Sequence, residues 1–456
     1  MIQTQALVEL SVRLDDYGCQ YWRLFELRAY LKEALRVWNC YTSWYRQRAV
    51  MNNLATGSLW YDLRYSLAPG LMEPTVTDID IADMICYHLL EEVIQLVDFN
   101  GEWEGTEQFN LNQVQSAIQH RLDRFLGDTG IVLNYFLQNS GIPSPDGRAL
   151  IPPSIIDVRR VSWVDTGFVN HVLWRANEWE MNAYRFGWQQ NPEMPQVYSQ
   201  SVTRPASIQI APPPDAGGLL EILGVTQGPV LDMTHQRTVL TVPDDFAWGI
   251  KWGALADLLN ADGQCKDATR AAYCEQRYQE CVGLALAFPA ILGAQINDVP
   301  VFMNSVFEMD SFDNGWQNKP AGDTTQIATA GRNLIALSPA PAGGTSVTFD
   351  VVANMPVPAT DADYLQLPPD VIDAVIGYAQ HLASFKMGGN EFMASDPLRQ
   401  NLLLLAAEYN GRLRQLDFYN DAIRQPSQKQ EAQVTRLNVP NLTGFTIPTA
   451  PQGVTQ

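Results

Sequence analysis

The second half of the chain repeats its own punctuation. Ile208-Gln-Ile-Ala-Pro-Pro-Pro-Asp-Ala-Gly-Gly218 returns as Ile335-Ala-Leu-Ser-Pro-Ala-Pro-Ala-Gly-Gly344, with Pro212, Pro214, Gly217 and Gly218 matched by Pro339, Pro341, Gly343 and Gly344. Further on, Val242-Pro-Asp-Asp-Phe246 is echoed by Leu367-Pro-Pro-Asp-Val371. An alternating apolar segment, a Pro/Gly turn and a Pro-Asp helix start thus recur at an offset of about 125 residues. Spacing and turns are kept, while nothing resembling catalytic chemistry recurs. That pattern favours a structural part over an enzyme.

Composition narrows the choice. The 456 residues suffice for two to four domains, and 46% hydrophobic with 18% charged residues is globular. A net charge of −20 has the wrong sign for gripping phosphates over a broad surface. The six cysteines include no CxxC pair, so buried thiols in a reducing compartment are expected rather than disulfides or metal. No basic-then-apolar leader opens the chain, and the apolar stretch from Val282 to Ala294 is too short to span a bilayer and is interrupted by Pro289. A soluble protein that is not exported is expected.

Periodicity predicts an α+β fold. An N-terminal helical bundle is followed by a β-rich segment and then by an internally duplicated module of β-strands and paired helices. Leu24, Leu27, Leu31, Leu35 and Trp38 form one helical stripe, with Glu26, Lys32 and Arg36 off it. A second helix starts at Thr77-Asp78 and runs through Ile81, Ile85, Leu89, Glu92 and Leu96. A third starts near Asn110 and carries Leu111, Val114, Ile118, Leu122 and Phe125 before Gly127 and Gly130. Between helices, residues 42–67 read as a short hairpin or an extended crossing. Pro152-Pro153 introduces a strand over Ser154–Trp163, rich in β-branched residues. Helices are expected at about 244–261 and 268–288, and Ser395-Asp396-Pro397 starts a last one running to about Ile423. The expected division is a helical domain 1–145, a β-rich link 146–204, a first module with its connecting loop 205–331, a second module 332–425 and an extended arm 426–456. The arm is polar and proline-dotted, without helical or strand period, so its order would come from something it binds.

Sites of chemistry are scarce. The chain has no GxxxxGK[ST], GxGxxG after a strand, GxSxG or HExxH. The histidines 88, 120, 171, 235 and 381 lie on separate elements. His88 with Glu91 and Glu92 has helical spacing for a metal, but a partly buried helix histidine explains it as well. Asp244/Asp245 and Glu102/Glu104 are the carboxylate pairs to weigh for glycoside hydrolysis. The first pair falls at a helix N-terminus, where anions are favoured anyway, and the second in a solvated loop. No catalytic residue, metal site or cofactor is assigned. The twelve tryptophans are spread through helices and strands, which suits cores and interfaces better than a sugar-stacking surface.

Charge is uneven. From Tyr61 to Asn110 there are eleven acidic residues and one basic residue, Arg64. If copies of the chain form a ring, Glu91, Glu92, Asp98, Glu102, Glu104 and Glu107 are candidates to line an acidic bore; an ordinary solvated face with an acidic loop is the other reading.

The opening helices (Ala6 to Trp44), the Thr77-Asp-Ile helix and Gln113-Val-Gln-Ser-Ala-Ile-Gln-His-Arg-Leu-Asp-Arg-Phe-Leu-Gly-Asp-Thr-Gly130 resemble minor virion proteins of tailed bacteriophages, in the head–tail adaptor (connector) group. Segments 242–259 and Arg270–Tyr278 also look like phage structural proteins. The resemblance implies a non-enzymatic virion component in the neck or tail region, assembled in the host cytoplasm. It implies a ring, commonly of twelve copies, that binds the portal on one side and the tail or next neck ring on the other. Genomic DNA would pass through without specific binding, and no membrane is involved. Members of the group often send a C-terminal arm into the portal, which makes Pro426, Leu437, Val439, Leu442, Phe445 and Ile447 candidate arm contacts, on the portal or on a neighbouring subunit. The chain is longer than the smaller adaptors, so a later neck ring or tail hub also fits. The rivals are a tail-tip or baseplate protein that binds host-surface glycan, and a virion glycoside hydrolase.

Overall fold

The computed structural model describes residues 1–52, 54–89, 109–138, 147–184, 187–201, 207–233, 237–263, 266–287 and 290–424. It divides into a unit spanning Met1–Ala407 and a C-terminal unit spanning Glu408–Gln456. The second unit is described only through the last turns of the final helix, to Arg424.

Helices α1 (Gln3–Arg13) and α2 (Leu24–Thr42) open the chain, followed by strands β1 (Arg46–Met51) and β2 (Trp60–Asp62), the single turn α3 (Leu63–Ser66) and α4 (Asp78–His88). Next come α5 (Leu111–Thr129), β3 (Asn134–Gln138), β4 (Arg148–Leu150), β5 (Ile155–Val164), β6 (Asn170–Arg175), α6 (Glu178–Tyr184), β7 (Val197–Ser201), β8 (Ser207–Ala211) and β9 (Leu219–Thr226). Two helices close this half, α7 (Ala247–Asn260) and α8 (Ala268–Ala287). The remainder is β10 (Ile291–Ile296), β11 (Val299–Ser305), α9 (Val306–Phe312), β12 (Gln326–Ala330), β13 (Leu334–Ser338), β14 (Val347–Val352), α10 (Pro369–Ser384), α11 (Gly389–Ala394) and α12 (Asp396–Arg424). The chain is mixed α+β, with N-terminal helices ahead of a β-rich region and two curled sheets.

Local signals set the helix ends where the sequence places them. Thr77 and Asp80 form a reciprocal cap at the start of α4, and Asn110 and Gln113 do the same for α5. Gly130 ends α5 in the left-handed conformation, at φ +56°, which glycine adopts without a Cβ penalty. Helix α4 ends at His88, short of Glu92 and Leu96, which lie outside the described residues. The Leu27, Leu31, Leu35 and Trp38 stripe of α2 is buried, but so are Glu26 and Arg36, which the periodicity puts off the stripe. Helix α2 is enclosed on nearly every side, and Glu26 is accommodated by an ion pair with Lys386 at 3.1 Å.

The two seven-stranded sheets share one wiring. One, here the nested sheet, has the order β3-β9-β5-β6-β7-β8-β4; the other, the flanking sheet, has the order β1-β14-β10-β11-β12-β13-β2. Position by position, β5 to β9 correspond to β10 to β14, and β3 and β4 to β1 and β2. Each sheet has a single parallel pair, β6 with β7 and β11 with β12, and antiparallel pairing elsewhere. The parallel pairs are joined by a short helix, α6 or α9, and a 3-10 turn. The correspondence extends to side chains. Asn177/Glu180 cap α6 as Ser305/Glu308 cap α9, and the buried Trp188 and Trp316 donate to Asn182 (3.1 Å) and Asp310 (2.8 Å). The peptide bonds before Pro212 and Pro339, in the repeated turn, are both cis.

Residues 42–67 are an extended crossing, not a hairpin. β1 pairs with β14 at one edge of the flanking sheet and β2 with β13 at the other. The stretch between them is too long for a tight turn, and each strand finds a better partner far along the chain. The flanking sheet buries Val347, Phe349, Val351, Ile335 and Leu337 on one face, and the nested sheet buries Val161, Trp163, Leu220, Ile222 and Ile208.

Among the helices, α7 packs against α5, α8 and α4, while α10 packs against α2 and α1. Close approach of α7 depends on two glycines. A Cβ at Gly249 would sit 2.5 Å from Cys281 Sγ, and one at Gly253 would sit 2.8 Å from Arg121 Cδ.

Candidate functional site

The acidic candidates Glu91, Glu92, Asp98, Glu102, Glu104 and Glu107 lie outside the described residues, as do the arm candidates Pro426, Leu437, Val439, Leu442, Phe445 and Ile447. The described carboxylates leading into the acidic stretch are engaged internally. Asp62 caps α3 and pairs with Arg64 at 2.7 Å, and Asp78 accepts from the Thr238 amide at 2.9 Å. Burial, reinforced by Asp80, pushes the Asp83 carboxyl up to about 7.

Where the sequence raised the question of catalysis, the geometry answers with packing. Asp244 accepts from the amides of Thr75 (2.7 Å) and Val76 (3.1 Å) and from the Thr75 hydroxyl. Asp245 accepts from Asn39 Nδ2 at 2.6 Å and the Met355 amide at 3.0 Å. Both carboxylates are buried and pin the start of α7 to three distant segments. Burial raises the Asp245 carboxyl to about 6, against the lowering effect of those donors. Glu102 and Glu104 lie outside the described residues.

His88 sits at the C-terminal end of α4 in a closed polar centre. Lys251 on α7 is completely buried; it pairs with Glu33 on α2 and lies 2.8 Å from His88 Nε2. Trp252 donates to the other Glu33 oxygen at 2.8 Å. Burial lowers the Lys251 ammonium to about 8 and depresses the His88 imidazole strongly. Three helices are thereby cross-tied at one point. A shifted lysine beside a neutral histidine can mark a catalytic site, but Lys251, Glu33 and His88 are each at most 1% exposed and bond to one another. Glu91 and Glu92, the carboxylates paired with His88 in the sequence, lie outside the described residues. Among the described residues, no group of three or more His, Cys, Asp or Glu side chains could hold a metal ion.

The richest polar constellation joins the two sheets. Arg160 on β5 donates to Asp310 on α9 at 2.6 and 3.0 Å, to Glu221 on β9 at 2.8 Å and to Gln317 in the flanking 3-10 turn at 2.7 Å. Gln317 in turn donates to Glu221 at 2.8 Å. Beside them Asn318 and Asn170 exchange two bonds, the Asn170 amide to Asn318 at 2.6 Å and Asn318 Nδ2 to the Asn170 carbonyl at 2.9 Å. Asn333 clasps the Leu133 backbone from both sides, at 2.9 Å each. The guanidinium is kept charged by two carboxylates although burial opposes it. Sequence reasoning passes over these residues. Glu221 interrupts an otherwise apolar strand, which is a signal, but Arg160 stands among Asp157, Arg159 and Ser162, and nothing local says that one charge meets the other.

Residues 84–298 match the model of the SU10 adaptor protein family. The matched stretch runs from within α4 through the nested sheet, α7 and α8 to the turn after β10. No curated protein matches the chain. The family match supports the resemblance to head–tail adaptors. It supports a phage adaptor structural protein, with the virion location and the virion-protein partners that such a role entails. No helix among the described residues is long and apolar enough to cross a membrane.

Proposed function

We propose that the chain is one subunit of an adaptor ring that joins the portal to the tail and surrounds the path of the DNA. The family match over residues 84–298 carries this reading. It is supported by the use of the buried polar groups, which tie elements together rather than face a cleft. Twelve copies would match a portal of the same order. In such a ring the acidic stretch holding Glu91, Glu92, Asp98, Glu102, Glu104 and Glu107 lines the bore, where negative charge keeps DNA from adhering as it slides. The segment from Pro426, with Leu437, Val439, Leu442, Phe445 and Ile447, is the arm that engages the portal or the neighbouring subunit. Assembly takes place in the host cytoplasm, before the virion is complete.

A second reading has one observation behind it. Trp174, Trp179 and Phe168 are 56%, 85% and 82% exposed, and aromatics of this kind could stack on a host-surface glycan. Glycan-array screening with Trp179→Ala as control separates the two.

The ring is tested by native mass spectrometry of the full chain, alone and mixed with the matching portal. A closed oligomer in either sample is expected, and truncation before Pro426 should weaken portal association while the body stays folded. A monomer that ignores the portal at high concentration would overturn the reading, and an unchanged truncated assembly would remove the arm.

A further inference from the structure

The two sheets share one wiring, yet the outer face over corresponding strands is covered at β5 and β9 of the nested sheet and accessible at β10 and β14 of the flanking sheet. In the nested sheet, Arg160, Ser162 and Glu221 point away from the sheet's own core and are buried, because α9 and the 3-10 turn of the flanking sheet pack over them through Asp310 and Gln317. The pairing registers locate the same positions in the flanking sheet. Ser162 lies opposite Glu221 as Gln295 lies opposite Thr348, and Arg160 lies opposite Leu223 as Gly293 lies opposite Asp350. Gly293, Gln295 and Thr348 are all solvent-accessible, with Pro300 and the 69%-exposed Phe302 beside them on the same face.

The covering element also has an unused twin. In the nested sheet, Asn182 and Gln189 stand where Asp310 and Gln317 stand in the flanking sheet, held by the same buried tryptophan bond. Asn182 and Gln189 are exposed. Each chain thus presents an accessible acceptor face on one module and the exposed Asn182 and Gln189 on the other, and within one chain the two modules already show how these parts fit.

We propose that the Gly293, Gln295 and Thr348 face of one chain takes the Asn182, Trp188 and Gln189 segment of a second copy, in the packing that Arg160, Glu221, Asp310 and Gln317 make inside one chain. Side-chain chemistry agrees at both halves. The buried charges of the internal junction, Arg160 with Asp310 and Glu221 beside Gln317, become Gly293 with Asn182 and Thr348 beside Gln189. Burying an ion pair is tolerable in a junction formed once during folding. Between surfaces already solvated, each charge must be stripped of water, and a lone one is left uncompensated. At these positions both partners are neutral, and Asp350, which lies opposite Gly293 on the same face, is already paired with Arg48 at 3.4 Å. The contact joins two different surfaces, so it propagates head to tail and closes into a ring or runs on as a filament.

The contact rests on the ring reading for its closure but is testable without it. Gln189→Cys and Thr348→Cys are made singly and together, and a short bismaleimide is added to the full chain, alone and on the portal. Cys40, Cys86, Cys274 and Cys281 are buried, and unsubstituted protein controls for Cys19 and Cys265. An equimolar mixture of the two single variants should give covalent dimers only, and the double variant a ladder of multiples. Intact rings in native mass spectrometry without those crosslinks would overturn the contact and leave the ring standing. A ladder from open filaments would leave the contact standing and overturn the ring. Dimers from Gln189→Cys alone would overturn the contact in favour of a two-fold one. A chain that stays monomeric throughout overturns both.

Discussion

Lys251 shows how a single buried charge commits its surroundings. Its ammonium and the Glu33 carboxylate have no water to turn to, so each depends on the other and on Trp252 and His88. Lys251→Met should destabilise the chain by about 3–5 kcal/mol by leaving Glu33 unpaired. Glu33→Gln combined with Lys251→Met should recover a large part of that loss, and chemical denaturation of the single and double variants checks it. Burial also gives the carboxylates a definite pH signature. Asp245 is raised to about 6 and Glu280 to about 7, both mainly by desolvation. Unfolded, they return to the ordinary range near 4. Between those values the folded chain holds protons that the unfolded chain has released. Their contribution to stability is therefore fully present below about pH 4 and is lost as pH rises through 6 to 7. Asp245→Asn should flatten the lower part of this fall and Glu280→Gln the upper part, relative to unsubstituted protein. Urea midpoints across pH 4 to 8 measure it, and unchanged slopes in both variants would contradict the assignment.

At the level of elements, α7 is the helix against which α4, α5 and α8 pack. Its glycines let α8 and α5 approach closer than side chains would permit, while Gly283 on α8 has nothing within 4 Å of where its Cβ would be. Gly249→Ala should therefore cost about 1–3 kcal/mol through the clash with Cys281. Gly283→Ala should stabilise by about 0.5–1 kcal/mol, because it only removes backbone freedom from an exposed helical position. Thermal midpoints of the two variants should move in opposite directions, and movement in the same direction would contradict this account of the packing. Helix ends are legible in the amino-acid sequence, because caps and glycine stops act within one turn. Thr77, Asn110 and Gly130 all do what their types predict. The strands are legible only as strands. A period of two says which side chains share a face, but not which distant segment lies alongside. Hence β1 and β2 are compatible with a hairpin and instead run to opposite edges of a sheet, where Arg46 pairs with Val352 and Asp62 with Leu334.

For the whole molecule, the junction around Arg160 decides whether the two sheets act as one body. Arg160→Leu strands Glu221 and Asp310 in a buried site and should cost about 3–5 kcal/mol. Replacing all three by neutral residues should restore much of it, because no buried charge is then left without its partner. A loss below about 1 kcal/mol for Arg160→Leu would mean that the junction is wetter than its geometry shows. The sequence alone determined the α+β class, the main helices, the repeated Pro/Gly turn with its offset of about 125 residues, and the likeness to phage adaptors. All of these are carried by local pattern or by order along the chain. Only the tertiary structure decided that the repeat is one wiring used twice, that the early strands complete the later sheet, and which charges meet in the interior. Those outcomes depend on contacts between residues far apart in sequence, which are selected when apolar faces close on one another and every buried polar group must find a partner.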